Sequence, residues 1–327
     1  MISNVNIIMV TWNALKYTKL SLNSLWENTK NSEYLLTIID NNSSDGTQKF
    51  LKSLHKTKKF KNLKIVLNTK NIGYGRAILH GSKLFKTKYV CALNNDLLFS
   101  KGWLDIMIKE MESNPNVGLL GPLRPAPFCI HPYSDLDTNV VIESISNDLS
   151  INDELNKFTM NRDFVTFCND LLKINFSPLK YFSGPPIHIV GCCFLVNTEI
   201  ANKVGGIIDP QFPLGCEDTD LSWRMSTNGY NIAITSKTYV HHFKHKSFNK
   251  RFDNKSMERL EMYKKINKRF YSKWKNTIAT FFVEQQKLGE NVSEMMKDEN
   301  NYSYWFMRRL NDSIRFWDGT KLVTIKN

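Results

Sequence analysis

Apolar positions in the first hundred residues follow two alternating patterns. Four short, continuous apolar runs are typical of strands buried on both faces of a parallel sheet, and they cover 5–10, 35–40, 63–67 and 89–93. Between these runs apolar residues recur at helical spacing, and those of the first two helices are Leu15, Leu22, Leu25, Trp26, Phe50, Leu51 and Leu54. Strands that alternate with helices through short connections predict an α/β fold with a mostly parallel sheet flanked by helices.

The pattern resumes after an interruption at 122–186. This segment opens with Pro122 and three further prolines, and it shows helical spacing only at 164–174, so we predict an irregular insertion there. Beyond it the predicted elements are a buried strand at 187–196, a helix that begins near Glu217, and strands at 230–234 and 239–243.

Polar side chains follow the predicted strands at the points where the strands end. Asp40 and Asp96 come directly after buried strands, and Asn71 follows the third strand. Ligands of parallel sheets bind beyond the carboxyl ends of the strands, so these side chains are candidates for one site. Thr11-Trp12-Asn13 follows the first strand in place of a G-x-G-x-x-G turn, and no G-x-x-x-x-G-K-[ST] loop occurs, which removes the main support for dinucleotide or P-loop binding.

Three carboxylates stand at the start of the helix near 217, namely those of Glu217, Asp218 and Asp220. Acidic residues in a first helical turn complement the helix dipole, which is the structural interpretation of this cluster. A carboxylate held at a helix start and facing a cleft is also suited to act as a general base. The stretch by itself leaves both interpretations open.

The positive charge is concentrated in one part of the chain. The net charge is +13, and the segment 243–275 alone contains 12 Lys and Arg against 3 Asp and Glu. Aromatic residues interleave with the basic ones there, among them Phe252, Tyr263, Phe270, Tyr271 and Trp274. Three interpretations stay open, which are helices packed on the preceding domain, contact with an anionic membrane surface, and an oligomer contact. Nucleic acid is not an expected partner.

The six cysteines form no C-x-x-C pair, and several lie in apolar runs, so we expect reduced, buried thiols. The first residues show no basic segment followed by an apolar core, and no apolar run approaches the roughly 20 residues of a membrane span. The expected location is cytoplasmic, with association with a membrane surface left open.

Taken together, six motifs resemble those of the family 2 glycosyltransferases, which have the GT-A fold. They are Val10–Asn13, Asp40–Thr47, Asn71–Gly75, Asn94–Asp96, Glu217–Asp220 with Arg224, and His241–His242. The resemblance covers the first 120 residues and 187–248. It implies a GT-A domain at 1–248, with the insertion at 122–186 on the acceptor side, and a basic, aromatic-rich helical extension at 249–327.

The resemblance also implies a role for individual residues. Those expected to border the nucleotide are Thr11, Asn13, Asp40, Asn71, Gly73, Asn94 and Asn95. Asp96 corresponds to a ligand of a divalent metal, Mn²⁺ or Mg²⁺, together with His241 or His242, between which the sequence does not choose. Asn94 replaces the first carboxylate of the usual D-x-D motif, and its amide oxygen is a ligand without charge. Asp218 corresponds to the catalytic base, with Glu217 beside it positioning the acceptor.

The function implied by the resemblance is inverting transfer of a hexose or deoxyhexose from a nucleoside-diphosphate sugar, with UDP or dTDP as the expected nucleotide. The expected acceptor is a hydroxyl group of a glycan, a lipid-linked sugar or a protein, in the synthesis of surface glycans or polysaccharides. Two alternatives from other classes are a nucleotidyltransferase and a non-catalytic module that binds nucleotide-sugars. An oligomeric state is left open.

Overall fold

A computed structural model describes most of the chain up to residue 243 and parts of the segment beyond it. The described residues are 4–29, 33–57, 59–124, 151–159, 161–173, 179–182, 188–243, 246, 262, 265–266, 268–270, 272–277, 280, 315–317 and 322–324. The predictions for 125–150 and for most of the C-terminal extension therefore lie outside the described residues.

The first four strands and three helices confirm the elements predicted from the apolar pattern. They are β1 (Val5–Thr11), α1 (Leu15–Asn28), β2 (Leu35–Asp40), α2 (Thr47–Thr57), β3 (Leu63–Leu67), α3 (Tyr74–Ser82) and β4 (Tyr89–Leu93). Three elements that the apolar pattern did not predict follow, and these are β5 (Leu97–Phe99), α4 (Trp103–Ser113) and β6 (Val117–Leu123).

The remaining elements include regular structure inside the predicted insertion. They are α5 (Ile151–Thr159), α6 (Phe164–Lys173), β7 (Leu179–Phe182), β8 (Cys193–Asn197), α7 (Thr198–Lys203), α8 (Glu217–Thr227), β9 (Asn231–His242), β10 (Arg315–Trp317) and β11 (Leu322–Thr324). The helical pattern at 164–174 is thus confirmed by α6. The two strands predicted at 230–234 and 239–243 form the single strand β9.

Nine strands form one sheet, in the order β3-β2-β1-β4-β8-β6-β9-β5, with β7 also paired to β9. The strands β3, β2, β1 and β4 are parallel, whereas β8 runs antiparallel to both β4 and β6. The carboxyl ends of β1, β2, β3 and β4 therefore meet at one edge, as the alternating pattern predicted. The β5–β9 pairing brings the end of β9 to the same edge.

Helices cover both faces of the sheet. On one face α1, α2 and α4 pack through Leu22, Leu51 and Met107 against a cluster that includes Ile7 and Met9 of β1. On the other face α3, α7 and α8 contribute Ile78, Ala201, Leu221 and Met225 to a cluster with Ile8 and Ile39. Because successive side chains of a strand point to opposite faces, β1 contributes to both clusters, which explains its continuous apolar run.

Two predictions about local structure are wrong. The strand predicted at 187–196 begins only at Cys193, because the preceding backbone bonds to α8 instead of a neighbouring strand: Ile189 N donates to Ser222 Oγ at 2.9 Å. Pro122, expected to break regular structure, lies within β6. It pairs with Thr235 of β9 at the point where the register of the β6–β9 ladder shifts, and an irregularity of this kind accommodates proline.

The described helical residues between 262 and 280 pack against α8. Phe270 is fully buried, and its ring lies 4.9 Å from that of Trp223 in α8, measured between centroids. Trp274 contacts the same indole from the side at 5.4 Å. For this part of the extension, packing on the preceding domain is the observed arrangement. None of the described helices has the length and apolarity needed to cross a bilayer.

Candidate functional site

A cavity of about 320 Å³ lies at the edge where the carboxyl ends of β1 to β4 meet. Its walls come from the ends of the strands, from the start of α8 and from the C-terminal helical residues. The lining residues are Val10, Trp12, Asn41, Asn71, Tyr74, Asn94, Asn95, Asp96, Val190, Gly191, Cys192, Leu214, Gly215, Glu217, Asp218, His242, Lys246, Met262 and Ile266. The fold thus brings together seven of the residues that the sequence nominated, which are Asn71, Asn94, Asn95, Asp96, Glu217, Asp218 and His242.

Asp218 is held in a fixed orientation by backbone donors. Its Oδ2 accepts a 2.6 Å hydrogen bond from Gly191 N, and its Oδ1 accepts one of 2.7 Å from Thr219 N. The helix begins directly after Cys216, whose backbone is left-handed with φ 61°, so the chain turns sharply into the first turn of α8. Amide donors and the amino end of a helix both favour a charged carboxylate, which here is half-buried and faces the cavity.

Glu217 is in a different environment although it is the next residue. It is only 7% exposed, and its Oε2 has no hydrogen-bond partner among the described residues. Burial, followed by the charge of Asp218, raises the pKa of Glu217 from 4.5 to about 8. Two adjacent carboxyl groups thus lie in different environments, since backbone donors hold that of Asp218 whereas that of Glu217 is buried and largely protonated at neutral pH.

Helix α3 approaches the start of α8 closely enough that only glycine fits at the contact. A Cβ on Gly75 would lie 2.4 Å from the carbonyl oxygen of Phe212, and one on Gly73 would lie 2.3 Å from that of Pro213. The contact places Tyr74 in the cavity wall, where its hydroxyl donates to the carbonyl of Gly191 at 2.6 Å. Burial raises the pKa of Tyr74 well above its usual value, so the phenol stays a donor.

Asp96 and His242 converge at the opposite wall. The Oδ1 atom of Asp96 lies 3.1 Å from the Nε2 atom of His242. The side-chain nitrogen of Asn94 also lies 3.1 Å from this Nε2 atom. Burial tends to lower the pKa of His242, but the Asp96 carboxylate outweighs it and raises this pKa to about 10. His241 points away from the cavity into a cluster of rings, with its ring 4.6 Å from that of Phe243.

The chemistry of this wall fits a divalent cation as a partial ligand set. A carboxylate, a neutral imidazole and the oxygen of a side-chain amide are ligands that Mn²⁺ accepts, and these three side chains converge on one point of the cavity. A cation bound there would take the place of the proton that His242 carries beside Asp96. Within the described part of the chain, no group of three or more His, Cys, Asp or Glu side chains is arranged to hold a metal. Further ligands would have to come from a bound molecule or from water.

Four of the predicted nucleotide contacts do not line the cavity. Asp40 is fully buried, and its carboxylate accepts four hydrogen bonds, two from Ser43, one from Thr11 Oγ1 and one from Gln48 Nε2. Asn13 Oδ1 accepts from Ser44 N at 2.9 Å. Gly73 lies in the close contact between α3 and the segment before α8, where its backbone approaches Pro213. Thr11, Asn13, Asp40 and Gly73 therefore form the framework behind the wall, because their polar groups or backbone positions are already engaged.

The two other asparagines of the site have structural bonds as well as cavity positions. Asn71 Oδ1 accepts from Gly73 N at 2.9 Å, which fixes the turn before α3. Asn95 is buried, and its side-chain nitrogen donates to Thr18 Oγ1 at 2.8 Å, which ties α1 to the end of β4.

Several residues of the site escaped the sequence analysis. Trp12, Cys192, Lys246, Met262 and Ile266 line the cavity, and only Trp12 lay within a motif that the sequence singled out. Arg124 is buried and His188 is half-buried, and both lie near Asp218. Each has a side-chain nitrogen, Nη2 and Nδ1 respectively, with no partner among the described residues. Their positions depend on tertiary contacts of an arginine after β6 and a histidine before β8, for which the local sequence carries no signal.

The C-terminal helical residues are joined to α8 through Asp220, the third carboxylate of the cluster. Asp220 is fully buried and accepts from Arg224 Nε at 2.7 Å, from Lys273 Nζ at 2.6 Å and from Trp274 Nε1 at 2.9 Å. The Ile266 side chain lies against Gly215, where an added Cβ would be 3.1 Å from its Cδ1. The third carboxylate is therefore structural, and it docks a wall of the cavity.

Comparison with known proteins gives a family match. A model of the family described as glycosyl transferase family 2 matches residues 6–204. Chondroitin synthase of Escherichia coli is 23% identical over 253 residues, which are 74% of this chain and 35% of that protein. An uncharacterized glycosyltransferase of Haemophilus influenzae is 25% identical over 117 residues, or 36% of this chain and 35% of that protein. The chain spans about a third of the length of both relatives.

Solved structures with a similar fold include two glycosyltransferases. GalNAc-T7 with UDP, GalNAc and Mn²⁺ has a TM-score of 0.57 at 13% identity, covering 96% of this chain and 57% of that one. A mannosyltransferase from Pyrobaculum calidifontis in complex with GDP-Man and Mn²⁺ has a TM-score of 0.51 at 14% identity, covering 96% and 74%. At these identities the likeness shows the fold alone, and it confirms the predicted GT-A fold.

Proposed function

The chain belongs to glycosyl transferase family 2, and we propose that it transfers a hexose or deoxyhexose from UDP- or dTDP-sugar to an acceptor hydroxyl with inversion at the anomeric carbon. The observation that carries this proposal is Asp218, a half-buried carboxylate that faces the cavity and is oriented by two backbone amides. The structures of similar fold were solved with GDP-Man or with UDP and GalNAc, which supports a nucleotide-sugar as the donor class.

Asp218 is the proposed general base. An acceptor hydroxyl has a pKa far above 7, so it attacks efficiently only when a carboxylate within hydrogen-bond reach removes its proton. The hydrogen bonds from Gly191 and Thr219 hold the carboxylate in place without neutralising it. A single base on the side opposite the leaving group gives one in-line displacement, which inverts the configuration.

Glu217 is proposed to position the acceptor. Its Oε2 is buried in the cavity wall without a partner among the described residues, and its raised pKa leaves it largely protonated at neutral pH. A protonated carboxyl group can donate a hydrogen bond to a sugar oxygen while its carbonyl oxygen accepts another. That arrangement would orient the hydroxyl toward Asp218.

Asp96, His242 and the Asn94 side chain are the residues that would hold a divalent cation, Mn²⁺ or Mg²⁺. When bound, such a cation supplies positive charge that stabilises the departing nucleoside diphosphate. Lys246, which lines the same cavity, adds a second positive group. His241 is left out of this assignment because its ring is buried among Tyr239 and Phe243.

The acceptor is proposed to be a growing glycan, a lipid-linked sugar or a protein. The 23% identity with a chondroitin synthase supports a role in polysaccharide synthesis, although the match covers only 35% of that relative. The segment 122–186, which includes α5, α6 and β7, is the proposed acceptor side.

The proposal is tested by offering the full chain a panel of UDP- and dTDP-sugars with Mn²⁺ or Mg²⁺ and measuring release of the nucleotide and the configuration of the product. Asp218→Asn should lower turnover by about 10²–10⁴-fold while the affinity for the donor stays nearly constant. Glu217→Gln serves as the matched neighbour and should mainly raise KM for the acceptor. Full turnover of the Asp218→Asn variant, or a product with retained configuration, would contradict the mechanism.

A further inference from the structure

Helices α1 and α2 together present a strongly basic surface, which we call the lysine face. Its members are the exposed side chains of Lys16, Lys19, Lys49, Lys52, Lys56 and Lys59. On α1 the spacing from Lys16 to Lys19 is three residues, and on α2 the three lysines recur at three and four residues, so each helix aligns them in one stripe. The only acidic residue of the two helices is Glu27, near the end of α1.

Two contacts show that the stripes belong to one surface. Lys19 Nζ lies 5.4 Å from the ring centroid of Phe50, which links α1 to α2. Lys59, just beyond α2, reaches back to α1, with its Nζ 4.8 Å from the ring of Trp26 and 3.3 Å from Asn23 Oδ1. Both rings are half-buried under ammonium groups.

Three exposed lysines outside this face have carboxylate partners of a kind that the lysines of the face lack. Lys88, Lys173 and Lys203 form ion pairs with Glu112, Asp170 and Glu199, respectively. None of the six lysines of the face pairs with a carboxylate in the described part of the chain. Like charges gathered without counter-charges repel one another, which costs stability unless an external anion compensates.

We propose that the lysine face docks this protein on a bilayer surface that carries anionic lipid headgroups. A planar, diffuse anionic surface matches a broad cationic face on two neighbouring helices. The rings of Trp26 and Phe50 are covered by ammonium groups, so they offer no free face on which nucleic-acid bases could stack. Val165 on α6 is the only exposed large apolar side chain among the described residues, so the face lacks the apolar centre of a protein–protein interface.

Docking through this face also fits the position of the cavity. Helix α1 begins next to the cavity wall, and Lys246, which lines the cavity, lies 5.3 Å from the ring of Tyr17 in the first turn of α1. The surface therefore begins at the rim of the cavity. The aromatic residues of the described C-terminal helix, by contrast, are buried against α8, as Phe270 and Trp274 show.

The test is co-sedimentation of the full chain with vesicles of phosphatidylcholine alone and of phosphatidylcholine mixed with phosphatidylglycerol. Wild type should bind only the anionic vesicles and lose binding at high salt. The double variant Lys49→Gln, Lys52→Gln should lower the partition coefficient on the order of 30-fold. The matched control is Lys83→Gln, Lys86→Gln, which removes the same charge after α3, on the opposite face of the sheet, and should bind like wild type.

Three results would overturn the proposal. The first is that wild type fails to bind anionic vesicles, and the second is that both double variants lose binding equally. The third is that wild type prefers heparin or RNA to vesicles and that the Lys49→Gln, Lys52→Gln variant loses this preference. Melting temperatures of both variants, expected to match wild type, ensure that the comparison is between folded proteins. None of these outcomes depends on transferase activity.

Discussion

The backbone amide of Gly191 donates a 2.6 Å hydrogen bond to Oδ2 of Asp218, so the segment before β8 orients a carboxylate of α8. A Cβ added at Gly191 would lie 3.1 Å from this oxygen and 3.3 Å from the Asp218 Cβ. Both distances are shorter than ordinary van der Waals contact. The position of the proposed base therefore depends on a residue that has no side chain.

Gly191→Ala is expected to displace the Asp218 carboxylate by a few tenths of an ångström. Turnover should fall about tenfold, because a misplaced base loses alignment with the attacking hydroxyl. The melting temperature should change little, and kcat with donor and acceptor at saturation is the measurement. Gly118→Ala is the control, since its Cβ would press on Met225 Sδ at 2.6 Å, away from the carboxylate. Equal losses of kcat in both variants would contradict the alignment argument.

Glu217→Gln should change how stability depends on pH. The pKa of Glu217 is about 8 in the folded protein and 4.5 ordinarily, so the folded state binds the extra proton between these values. The stability of wild type therefore falls as pH rises from 4.5 to 8, whereas the glutamine variant lacks this term. As pH rises from 5 to 8.5, the free energy of unfolding of the variant should increase relative to that of wild type by on the order of 2–4 kcal/mol. A difference in melting temperature that is constant over this range would rule out the raised pKa.

The strand and helix pattern of the first 95 residues was predictable because buried parallel strands and their covering helices have contrasting periods. The elements that were missed are short or lack a period, and β5 is the clearest case. Its three residues make sense only through their pairing with β9, which brings His242 to Asp96. Sequence alone could not choose between His241 and His242, because the choice depends on which face of β9 meets the cavity.

The site was predictable where a residue lies just beyond a strand or at a helix start, as Asp96 and Asp218 do. The site was not predictable where the polar side chain is fully hydrogen-bonded to neighbouring residues of the protein. Asp40 ends a strand like Asp96, but Thr11, Ser43 and Gln48 fill its hydrogen-bonding capacity. The cavity wall formed by Met262 and Ile266 depends on how the C-terminal helix packs on α8. The local sequence pattern does not predict this packing.

Asp40→Asn is expected to destabilise the fold. The new side-chain NH₂ group would face donors from Ser43 and Thr11 or from Ser43 and Gln48, leaving buried donors without acceptors. The free energy of unfolding should fall by about 1–3 kcal/mol, which would lower the midpoint of urea unfolding. Calorimetry with UDP on the folded variant separates a role in the framework from a direct contact. Unchanged stability together with lost UDP affinity would restore Asp40 as a nucleotide contact.

Asp96→Asn and His242→Ala should each weaken Mn²⁺-dependent binding of UDP by at least about tenfold, because both side chains belong to the proposed cation site. Titration calorimetry with and without Mn²⁺ measures the effect. His241→Phe is the control, since a phenyl ring preserves the aromatic packing against Phe243. If His241→Phe lost the Mn²⁺ dependence and His242→Ala kept it, the two histidines would have been assigned in the wrong order.

Trp274→Phe tests whether the C-terminal helix, which forms one wall of the cavity, contributes to substrate binding. The substitution keeps most of the ring packing against Trp223 but removes the Nε1–H that donates to Asp220. A hydrogen bond to a buried carboxylate should be worth about 1.5–3 kcal/mol, so the melting temperature should fall by several degrees.

The same variant should also affect substrate binding more than chemistry. Met262 and Ile266 on this segment line the cavity, whereas Asp218 is held independently by Gly191 and Thr219. KM should therefore rise several-fold while kcat stays within about twofold. Lys203→Met is the matched control, because it removes a lysine that pairs with Glu199 on the exposed surface and should cost at most about 0.5 kcal/mol. A Trp274→Phe variant that loses stability with KM unchanged would make the helix a stabilising element only.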